Sequence, residues 1–231
     1  MIGTITNAIA ITAGGLIGIL LRKGLPEPVK ETVMQGLGLS VLLIGIQMSL
    51  KTENVLLVVV SLVLGGALGQ AVDIEKYLAR LGVCLESRFG GGESKISRAF
   101  ITTSLIYCVG AMAILGSIED GLNGNPSILY AKATLDGVSA IIFSSTMGIG
   151  VVFSAVPVLV YQGSITLLAG TFKDLLTDGV VRELTATGGL LIVGIAVNLL
   201  GIKEIKVGNL LPSLAVALVL AILAQRFGSF F

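Results

Sequence analysis

An all-α polytopic integral membrane protein is the fold class this sequence predicts, on three observations. Of the 231 residues, 54% are hydrophobic and 13% charged, and the mean hydropathy is +0.99. A soluble domain carries about 25% charged residues, so a water-facing surface could not be covered here. Apolar tracts recur near the length of about 20 residues that a helix needs to cross about 30 Å of hydrocarbon. Glycine, at 31 residues, is about twice its usual share, as close helix packing in lipid favours. Helices are the candidate element, because lone strands and open sheet edges leave backbone groups unsatisfied in lipid.

About eight transmembrane helices follow in order. Segment 1, about residues 3–21, ends at Arg22-Lys23. It has no basic n-region before its apolar tract, so it reads as a retained span and not a signal peptide. Segments 2 and 3 cover about 33–50 and 55–72. The connection 73–98 sets Leu78, Leu81 and Leu85 at helical spacing among charges. That pattern predicts a cytoplasmic amphipathic helix, ended by Gly90-Gly91-Gly92. Segment 4 covers about 99–117. Segment 5, about 127–147, opens at Asn125-Pro126, a cap followed by a first-turn proline. Segment 6, about 149–170, contains Pro157, which removes a backbone donor and predicts a kink. Segments 7 and 8, about 185–201 and 207–225, complete a single transmembrane domain, 1–231.

Basic residues orient the chain. They cluster after segment 1 (Arg22, Lys23, Lys30), segment 3 (Lys76, Arg80, Arg88, Lys95, Arg98) and segment 7 (Lys203, Lys206). Eight crossings with both termini outside place all three links in the cytoplasm. The link after segment 6, with Lys173, Asp174, Asp178, Arg182 and Glu183, is balanced in charge and falls outside. Tyr77, Tyr107, Tyr130 and Tyr161 are the candidate interface anchors, since tryptophan is absent.

A repeat is visible. Aligning Gly45 with Gly194 matches Leu42 with Leu191, Ile46 with Ile195 and Leu50 with Leu199. Segments 1 and 6, and 3 and 8, then fall opposite each other. Equivalent segments lie an odd number of crossings apart, so the second copy must be upside down. The expectation is an inverted repeat of 1–72 (segments 1–3) and 149–226 (segments 6–8), with 99–147 (segments 4–5) inserted. Many secondary transporters have this architecture, with sites near the midplane between copies.

Composition narrows the chemistry. Histidine is absent and the cysteines are only Cys84 and Cys108. A His/Cys zinc site and a His-dependent triad are therefore excluded, and neither an enzyme, a metal centre nor an organic cofactor is expected. A net charge of +1 gives no case for nucleic acid as a partner; lipid and a small solute or ion are the expected ones.

Segment 5 carries the strongest site candidate. Lys132 and Asp136 stand at i,i+4 on one face, extended by Ser139. An ionisable group inside a span is expensive and faces a cavity or a partner. Two readings stay open: a solvated pair at the outer headgroups, or Asp136 as cation ligand or proton acceptor in a pathway. Ser144, Ser145 and Thr146 precede Gly148-Ile149-Gly150, where the helix can unwind and free carbonyls for a hard cation such as sodium. Such hydroxyls also commonly bond their own backbone. Gln162 follows the Pro157 kink. Asn7, Asn198 and Asn209 are amides in segments 1, 7 and 8, either packing glue or the lining of a polar route. Gly14-xxx-Gly18 and Gly65-xxx-Gly69 are close-packing faces, within one chain or between copies in a homo-oligomer.

Several stretches carry a resemblance: AITAGGLIG, FITTSLIYCVGAMAILGSIEDGL, KATLDGVSA with SSTMGIGVVFSAVPVLVYQG, and GGLLIVGIAVNLLGIKEIKVGNLLPSL. Together they resemble the bacterial membrane-protein family catalogued as domain of unknown function 554. The resemblance implies a small multi-pass protein of the bacterial cytoplasmic membrane and points to transport; it assigns no functional residue. The expected function is a secondary transporter of a small solute or ion coupled to sodium or protons. An oligomeric ion channel and a structural or regulatory membrane protein are the alternatives.

Overall fold

A computed structural model describes residues 1–22, 26–77, 95–172 and 175–227 of the protein. The regular elements among the described residues are helices: α1 (Ile2–Arg22), α2 (Glu27–Ser49), α3 (Val55–Val72), α4 (Lys95–Cys108), α5 (Ala111–Asn123), α6 (Ser127–Met147), α7 (Gly150–Phe153), α8 (Ala155–Leu167), α9 (Ala169–Phe172), α10 (Asp178–Leu199), α11 (Val207–Leu210) and α12 (Pro212–Phe227). Among the described residues, six helical runs are long and apolar enough to cross a membrane: Ile2–Leu21, Glu31–Ser49, Val55–Val72, Gly150–Leu167, Asp178–Leu199 and Val207–Gln225. The bent run α4–α5 makes a seventh if it is one span. An α-helical membrane protein follows. Its surface and interior are inverted relative to a soluble fold: Leu20, Leu50 and Leu167 are more than 70% exposed, while Asp136 is 6% exposed.

Local chemistry sets the breaks. Asn54 caps α3 by accepting from Leu57 N at 3.0 Å. Helix α6 starts at the expected place, but one residue on from the expected cap: Pro126 is the N-cap, its carbonyl accepting from Tyr130 N at 2.8 Å, and Asn125 Oδ1 accepts from Ser127 N at 3.2 Å just before the helix. Gly148, with φ of 87°, separates α6 from α7 at the expected glycine junction. Segment 6 breaks at Ser154, because Pro157 lacks the N–H that would bond the Phe153 carbonyl.

Two expectations change, and a third lies mostly outside the described residues. Segment 4 is not one straight helix: α4 starts early, at Lys95, and meets α5 at 58°. Gly110, at φ 138°, makes that corner in a region closed to other residues. Segment 7 starts earlier than expected, at Asp178. Arg182 and Glu183 therefore stand on the first turns of α10 and not in a link. The amphipathic connection is seen only at its start, where 74–77 are helical; Leu78, Leu81, Leu85 and Gly90-Gly91-Gly92 lie outside the described residues.

The chain divides into two compact units, one of residues 1–37 and 78–172, the other of 38–77 and 173–231. In the first, α1 and α6 run parallel in backbone contact. Gly14 and Gly18 face the carbonyls of Gly137 and Ile141 so closely that no Cβ fits. Helix α8 lies antiparallel on α1, with Thr4 meeting Thr166 and Asn7 meeting Gln162. Gly116 of α5 packs on Leu129 of α6, closing a hairpin. In the second unit, Gly65 and Gly69 of α3 lie against Ser213 and Asn209, which sets α3 antiparallel to α11–α12. Gly38 contacts Leu200 and Gly45 contacts Gly189 and Val193, so this part of α2 runs antiparallel to α10. Both small-residue faces read from the sequence are thus occupied within the chain.

Candidate functional site: a buried ion pair bridged by two amides

The site is built from three helices of the first unit. On α6, Lys132 Nζ sits 3.0 Å from Asp136 Oδ1 and 2.9 Å from Oδ2. Lys132 is 7% exposed and Asp136 6%, so the reading of a solvated headgroup pair gives way to a buried one. From α1, Asn7 Nδ2 donates to Asp136 Oδ2 at 3.0 Å and to Gln162 Oε1 of α8 at 3.3 Å. Both amides are fully buried.

Satisfaction is incomplete. The carboxylate accepts only, so it turns the Asn7 amino group toward itself. That group then meets the Gln162 carbonyl oxygen. Asn7 Oδ1 and Gln162 Nε2 are left without a partner. A buried acceptor and a buried donor therefore stand beside an ion pair without a protein partner, where native interiors ordinarily pair such groups with protein, ordered water or a bound species. The cluster thus offers one unpartnered acceptor, one unpartnered donor and a carboxylate, chemically the groups that bind a polar solute, an ion or a proton.

Ser139, one turn on from Asp136, donates to the Tyr107 hydroxyl at 3.3 Å and to the Asp136 carbonyl at 2.9 Å. Tyr107 is fully buried in the last turn of α4. The α4–α5 corner at Gly110 therefore lies level with the ion pair. Toward the start of α1 the polar line continues: Thr4 and Thr166 hydroxyls are 3.3 Å apart. Beyond them Asp120 Oδ2 accepts from Gly3 N at 3.1 Å and lies 2.8 Å from Met1 N.

The other candidates fall elsewhere. Ser144 donates to the Gly148 carbonyl at 3.2 Å, Ser145 to that of Ile142 at 2.8 Å and Thr146 to that of Phe143 at 2.9 Å. All three hydroxyls are spent on nearby backbone. Asn198 ties the loop after α10, donating to the Ile205 carbonyl at 2.8 Å and accepting from Ile205 N at 2.7 Å. Asn209 accepts from Glu75 N at 2.7 Å and donates to Gln70 at 3.0 Å. Both asparagines belong to the second unit, with partners of their own. Sequence reading missed Thr4, Thr166 and Asp120, and it took Tyr107 for an interface anchor, whereas its ring is fully buried with its hydroxyl on Ser139. Thr4 with Asn7, and Gln162 with Thr166, stand at i,i+3 and i,i+4, a polar stripe legible in apolar segments.

Comparison with known proteins agrees with the inverted surface. The chain is 33% identical to the uncharacterized membrane protein YdfK of Bacillus subtilis (strain 168), over 99% of both chains. It is 30% identical to the uncharacterized protein YqgA of Escherichia coli (strain K12), over 96% of both. No solved structure matches. The family model described as protein of unknown function DUF554 covers residues 2–222, and the chain belongs to that family.

Proposed function

We propose that the protein is a secondary carrier of a small solute or ion in the bacterial cytoplasmic membrane, coupled to sodium or protons through Asp136. It is not an enzyme on this reading. The observation that carries it is the buried Lys132–Asp136 pair, bridged to α1 and α8 by amides that keep open hydrogen-bonding atoms. Charge inside a span marks a substrate or ion pathway, and the α4–α5 break beside it is the discontinuous helix that carrier sites use.

An inverted repeat of 1–72 and 149–226 is part of the proposal. Helix starts at Ile2, Glu27 and Val55 recur at Gly150, Asp178 and Val207, about 150 residues later each time. Each equivalent set, α1 with α8, α2 with α10 and α3 with α11–α12, meets antiparallel. Two copies of opposite polarity require that. Eight crossings follow if α6 is counted: its charges depress its hydropathy, but it runs beside α1 from Leu129 to Ile141.

Two measurements test this. In proteoliposomes challenged with amino acids, small carboxylates and inorganic ions under a sodium or pH gradient, Asp136→Asn is expected to abolish gradient-dependent flux. Unchanged flux and ion dependence in that variant would remove Asp136 from the mechanism. For topology, single cysteines near residue 1 and at the exposed Asp178 should react with an impermeant maleimide added to intact cells, and one at Lys203 should not. Opposite labelling of the first and last residues would defeat the inverted arrangement.

A further inference from the structure

Helices α1 and α8 are joined by two polar rungs. The Thr4 and Thr166 hydroxyls meet at 3.3 Å, and Asn7 Nδ2 meets Gln162 Oε1 at 3.3 Å. The rungs stand three to four residues apart along each helix, so about 5–6 Å separates them. Thr4, Asn7 and Gln162 are fully buried, and Thr166 is buried. From the second rung the Asn7 amide continues onto Asp136 and its Lys132 partner.

Open donors outnumber open acceptors on this ladder. Gln162 Nε2 carries two hydrogens and bonds nothing. The two threonine hydroxyls carry two hydrogens and share one bond, which leaves one hydrogen unused. Helical threonines ordinarily bond the carbonyl four residues back, as Thr103 and Thr185 do at 2.7 Å; Thr166 turns its hydroxyl to Thr4 instead. On the four side chains, one acceptor atom stands without any partner, Asn7 Oδ1. Space adjoins the donors. Gly163 follows Gln162 in α8, and a Cβ there would meet nothing closer than Met1 Cε at 3.8 Å and Thr4 Cγ2 at 4.0 Å. At Gly14, where α1 meets α6, a Cβ would strike the Gly137 carbonyl. The α1–α8 contact is therefore the looser one, by at least a methyl group beside Thr4.

We propose that the Gln162 amide and the Thr4–Thr166 hydroxyls bind a small monovalent anion, the solute of the carrier. At one point this rests on the carrier reading. Lys132 and Asp136 cancel, so a lone anion beside them would be buried without compensation, which is costly. A coupling cation on Asp136 removes that cost: it neutralises the carboxylate and leaves the Lys132 charge to face the anion. Asn7 Oδ1, on the amide that holds Asp136, is the oxygen left for that cation. Anion and cation then enter as a neutral pair. Of the titratable groups around Asp136, Lys132 shares its helix, Tyr107 and Cys108 stand on α4, and Tyr161 of α8 borders Cys108. Asp120, past the first rung, is held by Met1 N and Gly3 N.

The test uses the purified full chain in detergent at pH 6 in sodium salts, so that both candidate coupling cations are present. Its thermal midpoint is followed as sodium chloride, nitrate or formate replaces sodium gluconate at constant ionic strength; gluconate is too large for the gap beside Thr4. A ligand that binds only the folded form raises the midpoint with its concentration. At least one of the three small anions is expected to raise it. Gln162→Leu removes the open donor and is expected to weaken that response, an apparent affinity drop of about tenfold or more. Should that variant fold poorly, Gly163→Ala decides. Its methyl group meets no clash, so its midpoint in gluconate should stay at or above wild type, while its affinity for the small anion falls about fivefold or more. Equal midpoints in all four salts would overturn the proposal. So would an undiminished response in Gln162→Leu, or in Gly163→Ala where Gln162→Leu does not fold. Failure of the carrier reading gives a different result: an anion response that these variants lose, without anion flux in proteoliposomes, keeps the binding site and removes transport. Gradient-driven flux of a neutral solute through Asp136, with equal midpoints in the four salts, removes the anion and keeps the carrier.

Discussion

Lys132→Met is expected to destabilise the protein by about 3–5 kcal/mol, because it strands Asp136 as a buried, unpaired charge. Lys132 contacts both carboxylate oxygens. After its loss, only the Asn7 amino group remains on Asp136. Removing both charges is a different experiment. Lys132→Met combined with Asp136→Leu deletes the desolvation cost of two ions together with their attraction, and such replacements are often neutral or stabilising by about 1–4 kcal/mol. The double variant should therefore unfold later than the single one, and near or above the wild type. Thermal unfolding in detergent measures both. If the double variant is stable yet its flux is lost, the ion pair is present for function and not for the fold. A wild-type midpoint for Lys132→Met alone would mean that water reaches the pair, and the buried reading would fail.

How much of this could be read from the chain depends on what each residue answers to. Pro157, Gly148 and Asn125-Pro126 act through backbone geometry within a few residues, so their breaks and starts were legible. The i,i+4 pair Lys132 and Asp136 was legible for the same reason: helical spacing puts both on one face. Burial was not. Asp120 and Glu183 sit near span ends, where a charge reads as a solvated link residue. Their partners, Gly3 and Met1 for one and Thr52 and Glu53 for the other, lie more than a hundred residues away in sequence. The amides show the same limit. Asn7, Gln162, Asn198 and Asn209 look alike in sequence, each a lone amide in an apolar tract. The register of α1 on α6 and α8 brings the first two to Asp136, while a loop and the end of α3 engage the others.

Gly14→Ala should break what Gly36→Ala leaves intact. A Cβ at Gly14 collides with the backbone carbonyl of Gly137, and one at Gly18 with that of Ile141. Backbone cannot rotate aside as a long side chain can, so α1 must move off α6. Overpacking of this kind costs about 1–3 kcal/mol per site, occasionally more. At Gly36, in α2, a Cβ meets nothing within 4 Å, and alanine there should gain about 0.5–1 kcal/mol from reduced backbone entropy. Opposite shifts in thermal midpoint are the expected result. The consequence reaches the site, since α1 carries Asn7 onto Asp136. A displaced α1 lengthens that bond, so Gly14→Ala protein that still folds should lose ion-dependent flux along with stability. The comparison also separates two uses of the same glycine face. If Gly14-xxx-Gly18 joined two copies of the chain, Gly14→Ala would shift the oligomer toward monomer and leave the monomer's midpoint unchanged. Packed on α6 as it is, the face should yield the reverse: a lower midpoint at an unaltered mass by light scattering.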